Sequence, residues 1–463
     1  MTGETVLAGT AHAVRAALES RAAWAPASLQ LTCAAILGGE GEVGLPVRAR
    51  ASHWAAFDFD KLGVSSLILA EPPEHGAQAR ALLERAADAR LKVQLIEQGK
   101  LRPLRIDDLI GRPIEAVDDD RIRTMIAGKR VLITGAGGSI GSELARRVAA
   151  LSPARLTLLD SSEFNLFRIG QDLPQGAPVL ADVRDARAMR RWFAKERPQL
   201  VFHAAALKQV PLVEAFPSEG VLTNVGGVRA VAEAAHGIGA DLVFVSTDKA
   251  VDPSGVMGAS KRLGELYCAA LDRRGERRAL PVRLGNVLGS AGSVIPTFEA
   301  QLAAGGPLTV TDPDVTRYFL SIPQAADALL HAAAIGLAGA VRGAAFVIDM
   351  GEALRVVELA REVIRLAGKR PDVDVPIVFT GLRPGEKLHE ALIGAEEWQE
   401  AAPAPNVIAV GSTPRGLAEL HELMERLVLL AQEGADNAVA RELFDALVAS
   451  AADVSAPERA MAG

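Results

Sequence analysis

Ser246, Thr247, Asp248 and Lys249 are consecutive and set two hydroxyls beside a carboxyl and an amine, groups able to donate, accept and relay protons. Eleven residues past Ser246 comes MGASK, in which Met257 and Lys261 are spaced i, i+4, so a helix would turn both to one face. A thioether at the first of those positions cannot move a proton. A second segment, VLITGAGGSIGSELARR, spaces Gly135, Gly138 and Gly141 as GxxGxxG, with Ser139 and Ile140 between the last two. Such glycines permit a tight turn that brings backbone N–H groups and a helix N-terminus against a pyrophosphate. Asp160 closes the next apolar run, where a carboxylate can accept both adenosine ribose hydroxyls and would repel a 2′-phosphate, so NAD is expected over NADP. Asp182 and Val183 are expected beside the adenine. Ala204 and Ala205, within HAAA at 203–206, are small residues where a fourth strand would pass under the cofactor. His203 reads as a buried, hydrogen-bonded histidine in preference to a catalyst.

These residues need a scaffold, and the sequence supplies one. Short β-branched runs alternate with helical patterns from Val131 onward: 131–134, 156–160, 178–182, 200–205, 242–247 and 281–287. Runs of this kind read as strands buried on both faces of a parallel sheet, giving a doubly wound α/β (Rossmann) fold. Residues 1–100 repeat the alternation more weakly, with candidate strands at 5–9, 29–37, 64–70 and 92–97 and a helix between the last two. This reads as a degenerate Rossmann-like domain, because no glycine fingerprint follows the turn at Gly9; a packing or oligomerisation role is expected for it. Pro103, Pro113 and Asp118–Asp120 mark 101–125 as an ordered linker, 126–400 as the NAD-binding core with a small interleaved substrate-binding region, and 401–463 as C-terminal helices and tail. Leu417, Leu420, Met424, Leu427 and Leu430 form one helical stripe, a second helix is expected over 436–451, and the tail from Ser455 should be disordered.

Composition narrows the function. Of 463 residues, 49% are apolar and 23% charged, which excludes global disorder, and 50 basic against 57 acidic side chains leave −7, which argues against nucleic acid as partner. Cys33 and Cys268 are too few for a disulfide framework or a cysteine zinc site, and no metal is expected. The N-terminus lacks the pattern of a signal peptide, and the most apolar stretches are about 15 residues long, short of the ~20 that span a bilayer. A cytoplasmic protein without a membrane span is expected.

The strand-end Ser/Thr followed by a MxxxK helix resembles the extended short-chain dehydrogenase/reductases, in which that helix carries Tyr-x-x-x-Lys. In that family the Tyr accepts a proton from a sugar hydroxyl, and the Lys holds the nicotinamide ribose. Here Met257 holds the Tyr position, so either the site is dead or proton transfer has moved to Asp248 and Lys249; the second is preferred. A closer resemblance rests on TGAGGSIGSEL, HAAALKQVPLVE (203–214), STDKAVDPSGVMGASKR (246–262), GNVLGSAGSVIPTF (285–298), PLTVTDPDVTRYF (307–319), DMGE (349–352) and GLRPGEKLHE (381–390). Jointly, over residues 102–452, these are similar to the CapD-like UDP-N-acetylglucosamine 4,6-dehydratases of bacterial polysaccharide biosynthesis. Met257 aligns the chain with the configuration-retaining branch. Many members of that group carry transmembrane helices before the first Rossmann-like domain, so the resemblance implies a soluble, shortened version, and a homo-oligomer.

The resemblance implies a reaction and its residues. NAD takes a hydride from sugar C4, water leaves across C5 and C6, and the hydride returns to C6. Lys249 becomes the C5 base, which requires a neutral amine, desolvated or near a cation such as Lys261. Asp248 becomes the acid for the 6-hydroxyl, Thr247 a hydrogen-bond partner of the 4-hydroxyl, and Lys261 keeps its ribose role. The acceptor of the 4-hydroxyl proton is left open, with Asp248 through a relay as one candidate. Asn286, Arg317, Arg383 and Glu386 are assigned to the UDP side, the arginines being suited to diphosphate. Lys208 is a candidate substrate contact, while Gln209 and Leu207 depart from residues common in relatives. Alternatives are a nucleotide-sugar 4-epimerase, which lacks a use for Asp248 and Lys249 together, and an inactive NAD-binding scaffold.

Overall fold

The computed structural model describes residues 4–26, 29–38, 42–72, 77–110, 119–275, 277–400, 404 and 406–454. Its first apolar runs become strands β1 (Thr5–Gly9), β2 (Leu31–Leu37), β3 (Val47–Ala51), β4 (Ser66–Leu69), β5 (Lys92–Glu97) and β6 (Lys100–Pro103). They form one sheet in the order β3-β2-β1-β4-β5-β6, parallel throughout except for the β5–β6 hairpin. Four strands were expected and six are present among the described residues. β3, VRARA, places arginines in alternation with small residues at a sheet edge, and β6 is four residues ending in proline, so neither carries an apolar run. β6 also corrects the linker boundary, since residues 101–103 are paired in the sheet. The linker continues through short helices Asp107–Ile110 and Asp119–Ile126, while Pro113 and Asp118 lie outside the described residues.

After β1 the chain turns at Gly9 into helix Ala11–Glu19, capped by Thr10. The Thr10 N–H donates to Oε1 of Glu71 at 2.6 Å, so a carboxylate of the chain itself serves the helix N-terminus where a phosphate would sit in a nucleotide-binding turn.

Contacts divide the chain into two compact units: Met1–Pro113 with Ser293–Val315 and Leu354–Gly381, and Ile114–Gly292 with Thr316–Ala353 and Leu382–Gly463. This division differs from the boundaries read from the sequence, because two segments of the expected 126–400 core join the first unit. There, helix Val356–Leu366 packs on helix Ala77–Asp88, with Arg365 paired to Glu84 at 3.0 Å. Burial in this contact pushes the Glu362 carboxyl up to about 7.

The second unit holds strands β7 (Arg130–Thr134), β8 (Arg155–Asp160), β9 (Ala177–Leu180), β10 (Leu200–His203), β11 (Asp241–Thr247) and β12 (Ala279–Leu284). Their sheet runs β9-β8-β7-β10-β11-β12 and then Ala345–Ile348, all parallel, followed by antiparallel strands Val407–Ser412 and Glu397–Gln399. Along β7, Val131 and Ile133 enter one apolar layer and Leu132 the other, which is why such strands read as unbroken apolar runs. Strand order reverses at β7 and β10, and ligands bind outside the carboxyl ends of strands at such a switch point. Helix Val256–Arg273 covers one face, and Leu420, Met424 and Leu427 of helix Leu417–Gln432 pack onto it. The second C-terminal helix runs Asp436–Val454, and the tail from Ser455 is outside the described residues. No helix among the described residues is long and apolar enough to cross a membrane.

Residues 281–287 were expected as one strand. The structure ends β12 at Leu284 and starts a separate pairing of Asn286–Val287 with Phe319–Leu320. Gly285 makes the break: a Cβ there would lie 2.8 Å from the Tyr318 carbonyl oxygen. Just before it, fully buried Arg283 donates to both oxygens of Glu265 (2.9 and 2.7 Å) and of Glu397 (2.8 and 2.6 Å). These bonds fix the C-terminal end of β12, because a buried guanidinium is tolerated only when its donors are matched.

Candidate active site

The turn after β7 is shaped by close approach of backbone. Gly135 has φ +64°, and a Cβ on it would lie 2.7 Å from the Ala205 nitrogen; a Cβ on Gly141 would overlap the Gly135 carbonyl oxygen. Gly138 is the N-cap of helix Ser139–Ala150, so the free N–H groups of Ser139, Ile140 and Gly141 form the open helix end. This cradle fits a dinucleotide pyrophosphate. Ala204 continues the β10 edge, its N–H donating to the Thr134 carbonyl at 3.1 Å.

Asp160 is buried at the end of β8, where Oδ2 accepts from Gly137 N–H and Oδ1 from Ser162 N–H, each at 2.9 Å. A second lone pair on each oxygen stays available to ligand hydroxyls. Asp182 is exposed and closes a local turn with the Arg184 N–H. The next helix is capped by Asp185, so Asp182 has no capping duty, while Val183 is buried beside it.

β11 delivers Ser246 and Thr247, and a single turn, Asp248–Ala250, delivers the carboxyl and amine. Asp248 is fully buried. Its Oδ1 accepts from Thr247 Oγ1 at 2.9 Å and from Lys249 Nζ at 3.0 Å, and its Oδ2 has no partner among the described residues. Ser246 Oγ is also buried, with no partner among the described residues. Lys249 Nζ donates to Asn286 Oδ1 at 2.8 Å and lies 4.0 Å from Oε1 of Glu390. Carboxylates thus flank Lys249, and the neighbouring cation is Lys208, whose ammonium is pulled down by burial and then by the charge of Lys249. Lys261 instead donates to the Val245 carbonyl at 2.9 Å and sits over the Phe244 ring, and burial pulls its ammonium down to about 8. His203, buried with Nδ1 2.7 Å from Thr134 Oγ1, is pushed down to about 3 by burial and then by Lys261.

Met257 is buried in the first turn of helix Val256–Arg273 and lines one cleft with Glu214, Lys249, Ser254, Lys387 and Glu390. No tyrosine is among the described residues lining it; Tyr267 is buried farther along that helix, in the apolar core. Glu214 holds the helix end, accepting from Val256 N–H at 2.6 Å. Asn224, fully buried, ties Leu207 (N–H and carbonyl, both 2.9 Å) to Ser260 Oγ at 3.0 Å, joining the loop after β10 to the helix of Met257 and Lys261.

The residues expected on the UDP side divide into two groups. Asn286 is drawn to Lys249. Arg317 is buried, donating to the carbonyls of Thr316 (2.7 Å), Lys387 (2.8 Å) and Leu388 (3.1 Å) and to Glu386 Oε1 (3.1 Å). A diphosphate contact from Arg317 would require exchanging some of these acceptors, and Glu386 is engaged with it. Arg383 is exposed, its backbone N–H closing a turn on Glu386. Lys208 reaches Ser290 Oγ at 3.0 Å, and Gln209 the Ala291 carbonyl at 3.2 Å.

Glu390 and Asn224 were given no role in the sequence. Glu390 ends the GLRPGEKLHE stretch, so the motif marked its region, but only folding sets its carboxyl beside Lys249. Its side chain is 3% exposed, with Oε2 unpartnered among the described residues and Nε of Arg317 3.9 Å from Oε1. Burial pushes this carboxyl up, and neighbouring Asp248 adds to the rise against the opposing pull of Lys249 and Arg317.

Residues 131–411 match the model of a family described as polysaccharide biosynthesis protein. The chain is 42% identical over 311 residues to the capsular polysaccharide biosynthesis protein CapD of Staphylococcus aureus, covering 65% of this chain and 51% of that protein, so it spans about half that relative's length. It is 33% identical over 287 residues to a UDP-glucose 4-epimerase of Rickettsia akari, covering 60% and 81%. Among solved structures, a double mutant of DesIV, a dTDP-glucose 4,6-dehydratase from Streptomyces venezuelae with NAD bound, aligns with a TM-score of 0.50 and 27% identity, over 57% of this chain and 88% of that one.

Proposed function

The chain belongs to the polysaccharide biosynthesis protein family, as a CapD-like member of the extended short-chain dehydrogenase/reductases, and from this we propose that it is an NAD-dependent UDP-N-acetylglucosamine 4,6-dehydratase. The observation that carries the reading is the Asp248–Lys249 pair, hydrogen-bonded at 3.0 Å, on a cleft where Met257 stands and no tyrosine contributes. A 4-epimerase oxidises and re-reduces C4 and has no elimination for such a pair to perform. A dehydratase must remove one proton and deliver another at adjacent carbons.

The Gly135–Gly141 turn would hold the pyrophosphate of NAD, Asp160 the adenosine ribose and Lys261 the nicotinamide ribose. Bound there, the nicotinamide would supply a hydride acceptor for sugar C4 and, once reduced, a hydride donor for C6. The intervening 4-ketone acidifies the C5 proton. Lys249 can pass a proton to Asp248 along their shared hydrogen bond, which yields an amine to take the C5 proton and a carboxylic acid to protonate the departing 6-hydroxyl. Thr247, anchored on Asp248, positions the 4-oxygen. Arg383 is the arginine open to the diphosphate without rearrangement.

Incubated with NAD and UDP-N-acetylglucosamine, the protein is expected to yield a product lighter by one water in mass spectrometry. A product of unchanged mass, inverted at C4, would replace this reading with the epimerase one.

A further inference from the structure

Oxidation of the sugar at C4 releases a proton from the 4-hydroxyl as well as a hydride, and some group must take it. Ser246 and Thr247 are hydroxyls, Met257 is a thioether, and His203 is buried with its basicity suppressed. Asp248 is engaged through Oδ1 with Thr247 and Lys249 and is committed to the 6-hydroxyl. Glu214 lines the cleft but caps helix Val256–Arg273. Glu390 lines the same cleft with one carboxylate oxygen 4.0 Å from Lys249 and the other buried without a partner among the described residues.

We propose that Glu390 is a further catalytic residue, the base that takes the 4-hydroxyl proton and later returns it to Lys249. The proposal rests on the dehydratase reading above. Its raised proton affinity suits the task, since a base is more effective as its pKa approaches the working pH.

The proton count closes. The O4–H bond breaks toward Glu390 as the C4 hydride leaves with the nicotinamide, so the sugar is oxidised and the cofactor reduced. Lys249 hands its proton to Asp248 and takes the one from C5, while Asp248 protonates O6 and water departs. The hydride then adds to C6 and Lys249 protonates C5, leaving a neutral amine. Glu390, across 4.0 Å, supplies the proton that restores the Lys249–Asp248 ion pair. Every group ends as it began, and the net loss is one water.

The test is stopped-flow absorbance of the reduced nicotinamide, using NAD-loaded protein and UDP-N-acetylglucosamine. In Lys249→Ala the first hydride transfer is expected to proceed and the reduced cofactor to accumulate. In Glu390→Gln that first transfer should slow by about 10²- to 10⁴-fold, with UDP-sugar affinity by calorimetry unchanged. A carboxylic-acid infrared band should appear when substrate is added to Lys249→Ala and be absent from the Lys249→Ala, Glu390→Gln double variant. Should the glutamine variant not fold, Glu390→Asp must still slow the first transfer. Hydride transfer at the unmodified rate in either Glu390 variant, or persistence of the band in the double variant, would overturn the assignment. An unmodified protein that forms neither reduced cofactor nor product would instead refute the dehydratase reading itself.

Discussion

Replacing Lys249 by alanine is expected to lower the rate of water loss from UDP-N-acetylglucosamine by about 10²- to 10⁴-fold, the range for removing a positioned acid–base group. The geometry makes the loss specific to one step. Lys249 is the one amine among the described residues hydrogen-bonded to Asp248, it is tied to Asn286 as well, and it lines the cleft. Neither the Gly135–Gly141 turn nor Asp160 touches it, so bound NAD should be retained, as absorbance of the purified protein would report. Product analysis with time checks the rate. Water loss at the unmodified rate would remove Lys249 from the mechanism and leave the pair as a structural ion bridge.

The second large effect is expected at Gly141. A methyl group there would overlap the carbonyl oxygen of Gly135, so Gly141→Ala must push helix Ser139–Ala150 away from the turn. Overpacking of this kind costs about 1–3 kcal/mol. The displaced N–H groups are the ones proposed to hold the pyrophosphate, and NAD affinity should fall by at least about tenfold, tenfold being about 1.4 kcal/mol. Calorimetric titration with NAD reads this directly. Unchanged affinity would mean that the cofactor is held elsewhere than on this helix end.

Much of the scaffold was legible because buried parallel strands are apolar on both faces, as Val131, Leu132 and Ile133 illustrate, and because glycine spacing follows from backbone crowding. β3 and β6 escaped, being short or arginine-bearing edges whose pairing is decided by the neighbouring strand. The break at Gly285 escaped because it depends on the approach of Tyr318 from another element. The site shows the same limit. Asp248 and Lys249 are adjacent in the chain and could be read together, whereas the contacts of Lys249 with Asn286 and Glu390, and of Arg317 with Glu386, join segments distant in sequence. Charge environment was the least legible property: desolvation or a cation such as Lys261 was expected to act on Lys249, and folding placed the carboxylates of Asp248 and Glu390 beside it, with Lys208 as the neighbouring cation.

Substrate carrying deuterium at C4 of the hexose puts the whole account to the test in a single NMR and mass spectrum. The expected product is a 4-keto-6-deoxy sugar, one water lighter, with the deuterium moved to its C6 methyl group. Deuterium still on C4 of a sugar that has kept all its oxygens would contradict it, because the Asp248–Lys249 pair would then have no elimination to carry out.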